Sequence, residues 1–366
     1  MSSLAPVLFS ELASTNGKKI AIAQLNSEKT LNSLTLPMIE LLYPQLQQWA
    51  KDDNVVAVVL QGAGEKAFCA GGDVKKICVA VREHGIDDKT AVDFFSAEYR
   101  LDYLIHQFAK PFIVWATGFV MGGGIGLLAG ASHRIVTETS RLAMPEITIG
   151  LYPDVGGSWF LARLGKVGLF LGMTGAQINA ADALQTGFAS HALPSSARQQ
   201  VLEQLALIEW AKDRQQHPQQ ISQLLDQLAL KELPQGQLAL AQTDIEQRTQ
   251  ANNLLELYQQ LIQPSSNAWL DKAANTLKRG SPTSAALIYR QWQQGSTQSL
   301  ADCFRQELTL SVQCARHPDF IEGVRALLVD KDQHPQWQPA TIEQVTEAWL
   351  DGHYQELWPE HPLADL

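Results

Sequence analysis

Val55-Val56-Ala57-Val58-Val59-Leu60, followed shortly by Ala67-Phe68-Cys69-Ala70-Gly71-Gly72-Asp73-Val74, is the stretch on which the fold turns. The first run is almost unbroken in β-branched and aliphatic residues. That is the pattern of a strand covered on both faces, as in a parallel sheet. The second run packs consecutive glycines against the start of a helical pattern. A strand that ends in a glycine turn and feeds a helix reads as one unit of an α/β protein.

The pattern recurs on either side. Lys19–Leu25 alternates like a strand, residues 111–115 form a third apolar run, and 133–137 a fourth. Between the first two strands lies a helix candidate, with Thr35 as N-cap and Pro37 in the first turn. Met38, Leu42, Leu46 and Trp49 recur on one of its faces. Pro44 removes an internal hydrogen bond, so a kink or short break is expected there. After about residue 195 the composition shifts. Residues 199–263 are rich in Gln, Leu, Ala and Glu, which reads as a set of amphipathic helices. Further helical stretches are expected over 282–314, capped by Ser281 and divided near Gln293-Gln294-Gly295-Ser296, and over 320–337 and 342–358. The domain expectation is a core at 1–195 that carries the ligand site, and a helical C-terminal region at 196–366 packing on it.

A second glycine cluster, Gly118-Phe119-Val120-Met121-Gly122-Gly123-Gly124-Ile125-Gly126-Leu127, follows the 111–115 strand. Glycines let a backbone come close to a ligand, and a helix start exposes N–H groups that favour negative charge. Two such N–H groups aimed at one point would form an oxyanion hole. Taken alone, either cluster reads first as a tight turn, because glycine marks turns everywhere. Neither is a phosphate-binding P-loop or a dinucleotide fingerprint. A third element, Met144-Pro145-Glu146-Ile147-Thr148-Ile149-Gly150-Leu151-Tyr152-Pro153-Asp154-Val155-Gly156-Gly157, sets two carboxylates among apolar and small neighbours. Such carboxylates are costly unless paired or used. Glu146 reads either as a base or nucleophile or as the cap of a turn; Asp154 reads equally as the cap of a helix starting near Gly156.

Composition narrows the function classes. The 366-residue chain is 45% hydrophobic and 18% charged, with a formal net charge of −10. An acidic surface counts against nucleic acid as a partner. No apolar run is long enough for a membrane span. The start, Met1-Ser2-Ser3-Leu4-Ala5-Pro6, lacks a targeting pattern, and the location expected is cytoplasmic. Cys69, Cys78, Cys303 and Cys314 form no CxxC pair and read as free thiols. The histidines show no ligand spacing, so no metal is expected. His106 and His133 read as satisfied structural residues. Trp337, with Asp330, Lys331 and Asp332, reads as a fastening of the C-terminal segment.

The three elements, in this order and spacing, resemble the crotonase (enoyl-CoA hydratase/isomerase) superfamily. The resemblance implies an α/β, crotonase-like (ClpP/crotonase) core, a superhelix of repeated ββα units, with a helical C-terminal region. Members bind acyl-CoA and stabilise a thioester enolate or oxyanion with two backbone N–H groups, which the resemblance places on Gly72 and Gly123. It likens Lys29-Thr30-Leu31 to the segment that meets the adenine end of coenzyme A. Lys29, Leu31, Gly71 and Asp73 are then the expected CoA contacts. Enoyl-CoA hydratases carry a second glutamate three residues beyond the middle glycine of the GGG turn. Here that position is Gly126, which puts hydration by two glutamates in doubt.

Within the superfamily, several stretches resemble the 3-hydroxyisobutyryl-CoA hydrolase family. They are Ala143-Met144-Pro145-Glu146, the segment from Gly150 to Gly157, Phe94-Phe95-Ser96-Ala97-Glu98-Tyr99, and Asp319-Phe320-Ile321-Glu322-Gly323-Val324-Arg325-Ala326 with the residues after it. Carried over by position, Glu98, Gly123, Glu146 and Asp154 would line the acyl pocket. Glu146 would be the principal catalytic carboxylate. Asp154 would hold the substrate 3-hydroxyl or assist proton transfer, and Glu98 would support; Glu98 alone also reads as a surface residue of a helix. The substrate implied is an acyl-CoA, with coenzyme A part of it and no separate cofactor. The pathway implied is valine breakdown, and the assembly implied is a homo-oligomer. Two rivals stand beside hydrolysis: another crotonase chemistry such as enoyl-CoA isomerisation or hydration, and acyl-CoA binding without turnover.

Overall fold

Three times the chain runs strand, strand, helix. Val55–Gly62 (β3) and Ala67–Cys69 (β4) lead to the helix Val74–His84; Phe112–Ala116 (β5) and Phe119–Met121 (β6) lead to Gly123–Ala129; His133–Val136 (β7) and Arg141–Ala143 (β8) lead to a 3₁₀ turn, Glu146–Ile149. Val7–Ala13 (β1) and Lys19–Leu25 (β2) precede these units, and His191–Ala192 (β9) follows them. This computed structural model describes residues 5–366. It shows the repeated ββα arrangement that the family resemblance implied.

The first strand of each unit enters a six-stranded sheet of order β1-β2-β3-β5-β7-β9; the second enters a small sheet of order β4-β6-β8. β1 pairs antiparallel with β2, and the rest of the large sheet is parallel, with Val58 opposite Phe112 and Ile113 opposite His133. All eight residues of β3 are buried, as the aliphatic run requires. In the small sheet β4 and β6 run parallel, with Cys69 opposite Val120. The two glycine turns therefore leave the same end of adjacent strands.

The chain forms two interleaved compact units: one of residues up to Gly72 with Leu101–Leu142 and Ile178–Gly236, the other of Asp73–Arg100, Ala143–Gln177 and Gln237–Leu366. They do not follow the single boundary expected at 195/196. The reason is visible in the first unit. Val201, Leu205, Ile221 and Leu225, from the helices Arg198–Leu207 and His217–Gln227, share one apolar cluster with Ile20, Val59, Ile113, Trp115 and Ile135 of the large sheet. The apolar stripes of these helices cover the sheet, so residues 198–227, beyond the expected boundary, complete the same core.

Other local expectations meet mixed outcomes. Thr35 caps the helix Leu36–Lys51, its hydroxyl accepting from the Met38 N–H at 3.4 Å, and Met38, Leu42, Leu46 and Trp49 are buried on it. Pro44 does not break that helix. Pro44 and Glu40, whose carbonyl loses its helical partner, are both exposed, so water can take the vacant place. Ser281 caps Pro282–Gly295, and a second helix, Leu300–Arg316, follows, as read. The helix expected over 320–337 stops at Val329: Pro318–Val324 passes into one π turn, Arg325–Val329, and then into irregular chain. There Arg325 gathers Glu322, Asp330 and Asp332 within 2.8 Å, and Lys331 and Gln333 take positive φ. The tail holds only a short turn, Ile342–Gln344, and the helix Glu347–His353. All four cysteines are free and buried. His133 is satisfied by Ser132, Ser222 and the Pro218 carbonyl. Trp337 Nε1 donates to the Arg279 carbonyl. No helix among the described residues is long and apolar enough to cross a membrane.

Candidate active site

In the first unit the glycine turns follow β4 and β6. Gly123 is the first residue of its helix, so the helical ladder cannot use its N–H. The turns are packed against each other. A Cβ on Gly124 would stand 2.4 Å from the Cys69 carbonyl oxygen, so only glycine fits there. Gly72 bridges to Leu34, whose N–H donates to the Gly71 carbonyl at 2.8 Å. Ser33 Oγ donates to the same carbonyl at 3.0 Å, and the Ala70 N–H donates to the Leu31 carbonyl at 3.1 Å. The Gly72 N–H takes no part in these bonds. Lys29, Leu31 and Gly71, the expected CoA contacts in this unit, thus lie on adjoining stretches of backbone, with Lys29 exposed.

Leu31 and Asn32 both adopt left-handed backbone, φ 55° and 54°. Asn32 holds that turn. Its Oδ1 accepts from the Ser27 N–H, and its Nδ2 donates to the Ala63 and Ala67 carbonyls, at 2.9–3.0 Å. Asparagine tolerates this conformation better than most residues. Sequence reading passed over Asn32; an Asn inside an otherwise mixed loop was the available signal.

The second unit holds the acids. Asp73 precedes the helix Val74–His84 without capping it and lies 3.9 Å from Lys76. Glu98 is buried, at 2% exposure, which rules out its reading as a surface residue. Glu146 opens the turn Glu146–Ile149 and is 6% exposed. Its Oε2 is buried and has no hydrogen-bond partner among the described residues. Burial, then the neighbouring Asp154 charge, raises its pKa well above the usual carboxylate value.

The backbone beneath Glu146 is tightly fixed. Gly150, at φ +72°, closes the turn, and a Cβ on it would lie 2.3 Å from the Asp319 backbone. Asp319 is itself pinned: Ser281 Oγ donates to its Oδ2 at 2.6 Å and the Gln338 N–H to its Oδ1 at 2.7 Å. The Ser281 N–H donates to the Ile147 carbonyl at 3.0 Å. The Asp319-Phe320 motif near the C-terminus is therefore the backing of the Glu146 turn.

Asp154 is held differently. It is 4% exposed and accepts a 2.6 Å hydrogen bond from the Tyr99 hydroxyl. Burial raises its pKa to about 6, against the lowering effect of that bond. Asp154 does not cap the helix Gly157–Arg163 with its side chain. The cap is Glu307, from the helix Leu300–Arg316. Its Oε2 accepts from the Gly156 N–H at 2.7 Å, and its Oε1 accepts from the Ser158 N–H at 2.9 Å and the Ser158 hydroxyl at 2.5 Å. Burial nevertheless pushes Glu307 up to about 8. The capped turn is strained: Val155, β-branched and buried, sits at φ 53°.

Tyr99, Tyr152, Ser158, Glu307 and Ser311 were not assigned a role from sequence. The signal for two of them was legible. Glu307 and Ser311 fall in line with Phe304 on the apolar face of their helix, where a polar residue needs a buried partner.

The acids thus offer one unpaired buried carboxylate oxygen, a second carboxylate tuned by a phenol, and apolar surroundings. That set can take a proton from water or attack an activated carbonyl. The sequence matches the enoyl-CoA hydratase/isomerase family over residues 20–354. It is 38% identical over 341 residues to the mitochondrial 3-hydroxyisobutyryl-CoA hydrolase of Gallus gallus, covering 92% of this chain and 86% of the relative. With the Danio rerio protein of that name it shares 38% over 343 residues, 93% and 88% of the two chains. The mitochondrial names of these relatives differ from the cytoplasmic location expected from residues 1–6, of which 1–4 lie outside the described residues. A crystal structure of a carnitinyl-CoA dehydratase from Mycobacterium thermoresistibile superposes with a TM-score of 0.85 at 33% identity, covering 98% of each chain. By sequence over nearly its whole length, and by fold, the chain belongs to the enoyl-CoA hydratase/isomerase, or crotonase, family.

Proposed function

We propose that the protein hydrolyses a short 3-hydroxyacyl-CoA thioester, 3-hydroxyisobutyryl-CoA in the first place, to the free acid and coenzyme A, as a step of valine breakdown. The observation that carries the chemistry is the buried Glu146 carboxylate with an oxygen left without a partner. A buried carboxylate so exposed to loss of solvation is retained where it acts on something. The choice of hydrolysis over hydration rests on the relatives' names and on Gly126, which stands, buried, where hydratases carry their second acid.

Two assignments follow for the chain's own groups. The N–H groups of Gly72 and Gly123 take the thioester oxygen, a role worth on the order of 3 kcal/mol per donor in the transition state. Glu146 either attacks the carbonyl carbon, giving a mixed anhydride that water opens, or takes a proton from the attacking water. Asp154 binds the 3-hydroxyl or moves a proton, Glu98 supports the acyl group, and Lys29, Leu31, Gly71 and Asp73 meet coenzyme A. No separate cofactor enters this scheme, and the working form is a homo-oligomer.

The decisive measurement is release of free thiol from a panel of CoA esters, run beside assays for double-bond hydration and migration. Thiol release fastest with 3-hydroxyisobutyryl-CoA or 3-hydroxypropionyl-CoA supports the proposal. Hydration or isomerisation without thiol release rejects it. These two esters differ by one methyl, so a preference of roughly ten-fold or somewhat more is expected between them.

A further inference from the structure

Behind Asp154 lies a chain of buried hydroxyls. The Tyr99 hydroxyl is 2.6 Å from Asp154 Oδ2 and 2.6 Å from Ser311 Oγ. Ser311 Oγ is 2.7 Å from the Tyr152 hydroxyl, which is 2.7 Å from the Glu307 carbonyl oxygen. Tyr99, Tyr152 and Ser311 are each fully buried. The line therefore joins Asp154 to the backbone of Leu300–Arg316 with no solvent between.

Counting protons shows what the line can do. Four contacts join the five oxygens, and the three hydroxyls supply three protons. With Asp154 ionised, Tyr99 donates to the carboxylate and Tyr152 to the Glu307 carbonyl, so the single Ser311 proton serves only one of its two contacts and the other goes without a proton. A proton on Asp154 completes the set. Asp154 then donates to Tyr99, Tyr99 to Ser311, Ser311 to Tyr152, and Tyr152 to the carbonyl. A hydroxyl that changes partner between the two states does so by rotation alone, and both protonation states leave Asp154 hydrogen-bonded. A lone buried carboxyl would have one state strongly penalised.

We propose that Tyr99, backed by Ser311 and Tyr152, is a positioning residue that lets Asp154 take up and return a proton while buried, its phenol donating to the ionised carboxylate and accepting from the protonated one. Resting on the hydrolase reading, this gives Asp154 a use within turnover. Thioester hydrolysis takes one proton from the attacking water and gives one to the departing thiolate, so a group that holds the proton in between balances the step. The titratable groups coupled to Asp154 are Tyr99, by a hydrogen bond, and Tyr152, Glu146, Glu307 and Cys314, through their charges. Among them only Tyr99 has a hydrogen bond to it. Tyr99 is therefore the group whose removal most directly changes how Asp154 holds a proton.

The test reads the Asp154 carboxyl directly, by difference infrared titration of the protein against Asp154→Asn. The wild-type band is expected to titrate near pH 6. Tyr99→Phe keeps the ring and removes both the bond donated to the ionised carboxylate and the weaker one accepted from the protonated form; the charge-assisted bond is the stronger, so the midpoint is expected to rise by about one pH unit. Ser311→Ala leaves Tyr99 in place without its own donor, and a smaller rise is expected. The acid limb of kcat/KM should move with the infrared midpoint, with KM little changed. An unchanged midpoint in both variants overturns the proposal, even where turnover falls. Should Tyr99→Phe not fold, Ser311→Ala decides alone. The infrared titration does not depend on turnover, so a protein without thioesterase activity would refute the hydrolase reading while still reporting on this one.

Discussion

The turn at Glu146 and the loop at Asp154 lie eight residues apart, yet the first is fixed through its backbone and the second through its side chain. Around Glu146 the chain is wedged under Asp319, and the carboxylate Oε2 is left with no hydrogen bond. Around Asp154 the backbone is strained at Val155, and the carboxylate is tied to Tyr99. Both acids are buried, but burial alone does not separate their roles. A fixed backbone with one carboxylate oxygen left unpaired gives a group free to meet a substrate. A bonded side chain gives a group whose proton affinity is set by the protein.

Removing the Glu146 carboxylate should have the largest effect. Glu146→Gln is expected to lose about 10³-fold or more in thiol release, with substrate still bound, as measured by turnover and by calorimetric binding of the ester. Wild-type turnover in that variant would erase the contrast between the two acids.

Next comes the cost of keeping Asp154 charged. Its pKa of about 6 in the folded protein lies above the ordinary 3.8, so the folded state holds that proton more tightly than the unfolded chain. The stabilisation this brings is full below about pH 3.8, is lost as pH rises towards 6, and does not change further above it. Asp154→Asn removes this dependence. Relative to wild type, the variant should gain about 2 kcal/mol between pH 4 and pH 7, read from urea midpoints. A difference that stays constant with pH would mean Asp154 is not desolvated as its burial implies.

The Glu307 cap sharpens the comparison further. Glu307→Ala leaves the Gly156 and Ser158 donors without their acceptor and opens a cavity, a loss of about 2 kcal/mol or more in stability. It should also relax the strained turn and weaken Asp154-dependent behaviour, while leaving the Glu146 turn in place. Thermal melting and the acid limb of kcat/KM check the two halves. The smallest effect expected is one of selectivity. Asp154→Asn should lose about ten-fold more activity on 3-hydroxyacyl-CoA than on the plain acyl ester, which competitive turnover would show. Equal losses would take the 3-hydroxyl away from Asp154.

Much of this was legible in the chain. The aliphatic run of β3 could only be a covered strand, because a solvated face would need alternation. The glycines at 71–72 and 122–124 marked turns, and at Gly124 a Cβ would stand 2.4 Å from the Cys69 carbonyl oxygen. Thr35 and Ser281 announced helix starts by their hydroxyls. Glu146 and Asp154 stood out as acids among apolar neighbours. These are local signals, decided by sterics and solvation over a few residues.

What tertiary structure alone decided is who serves those residues. Nothing near Asp154 in sequence names Tyr99, 55 residues before it, and nothing near Gly156 names Glu307, 151 residues beyond. Nor does the Gln-rich segment state that two of its helices finish the large sheet's core. A buried carboxylate or a bare sheet face demands a partner, but its chemistry does not say where along the chain that partner lies. The sequence by itself determined the repeated strand-turn-helix frame and the acids it carries. Only folding could settle which distant side chains cap, back and tune them, because those contacts depend on which helix faces come to rest together.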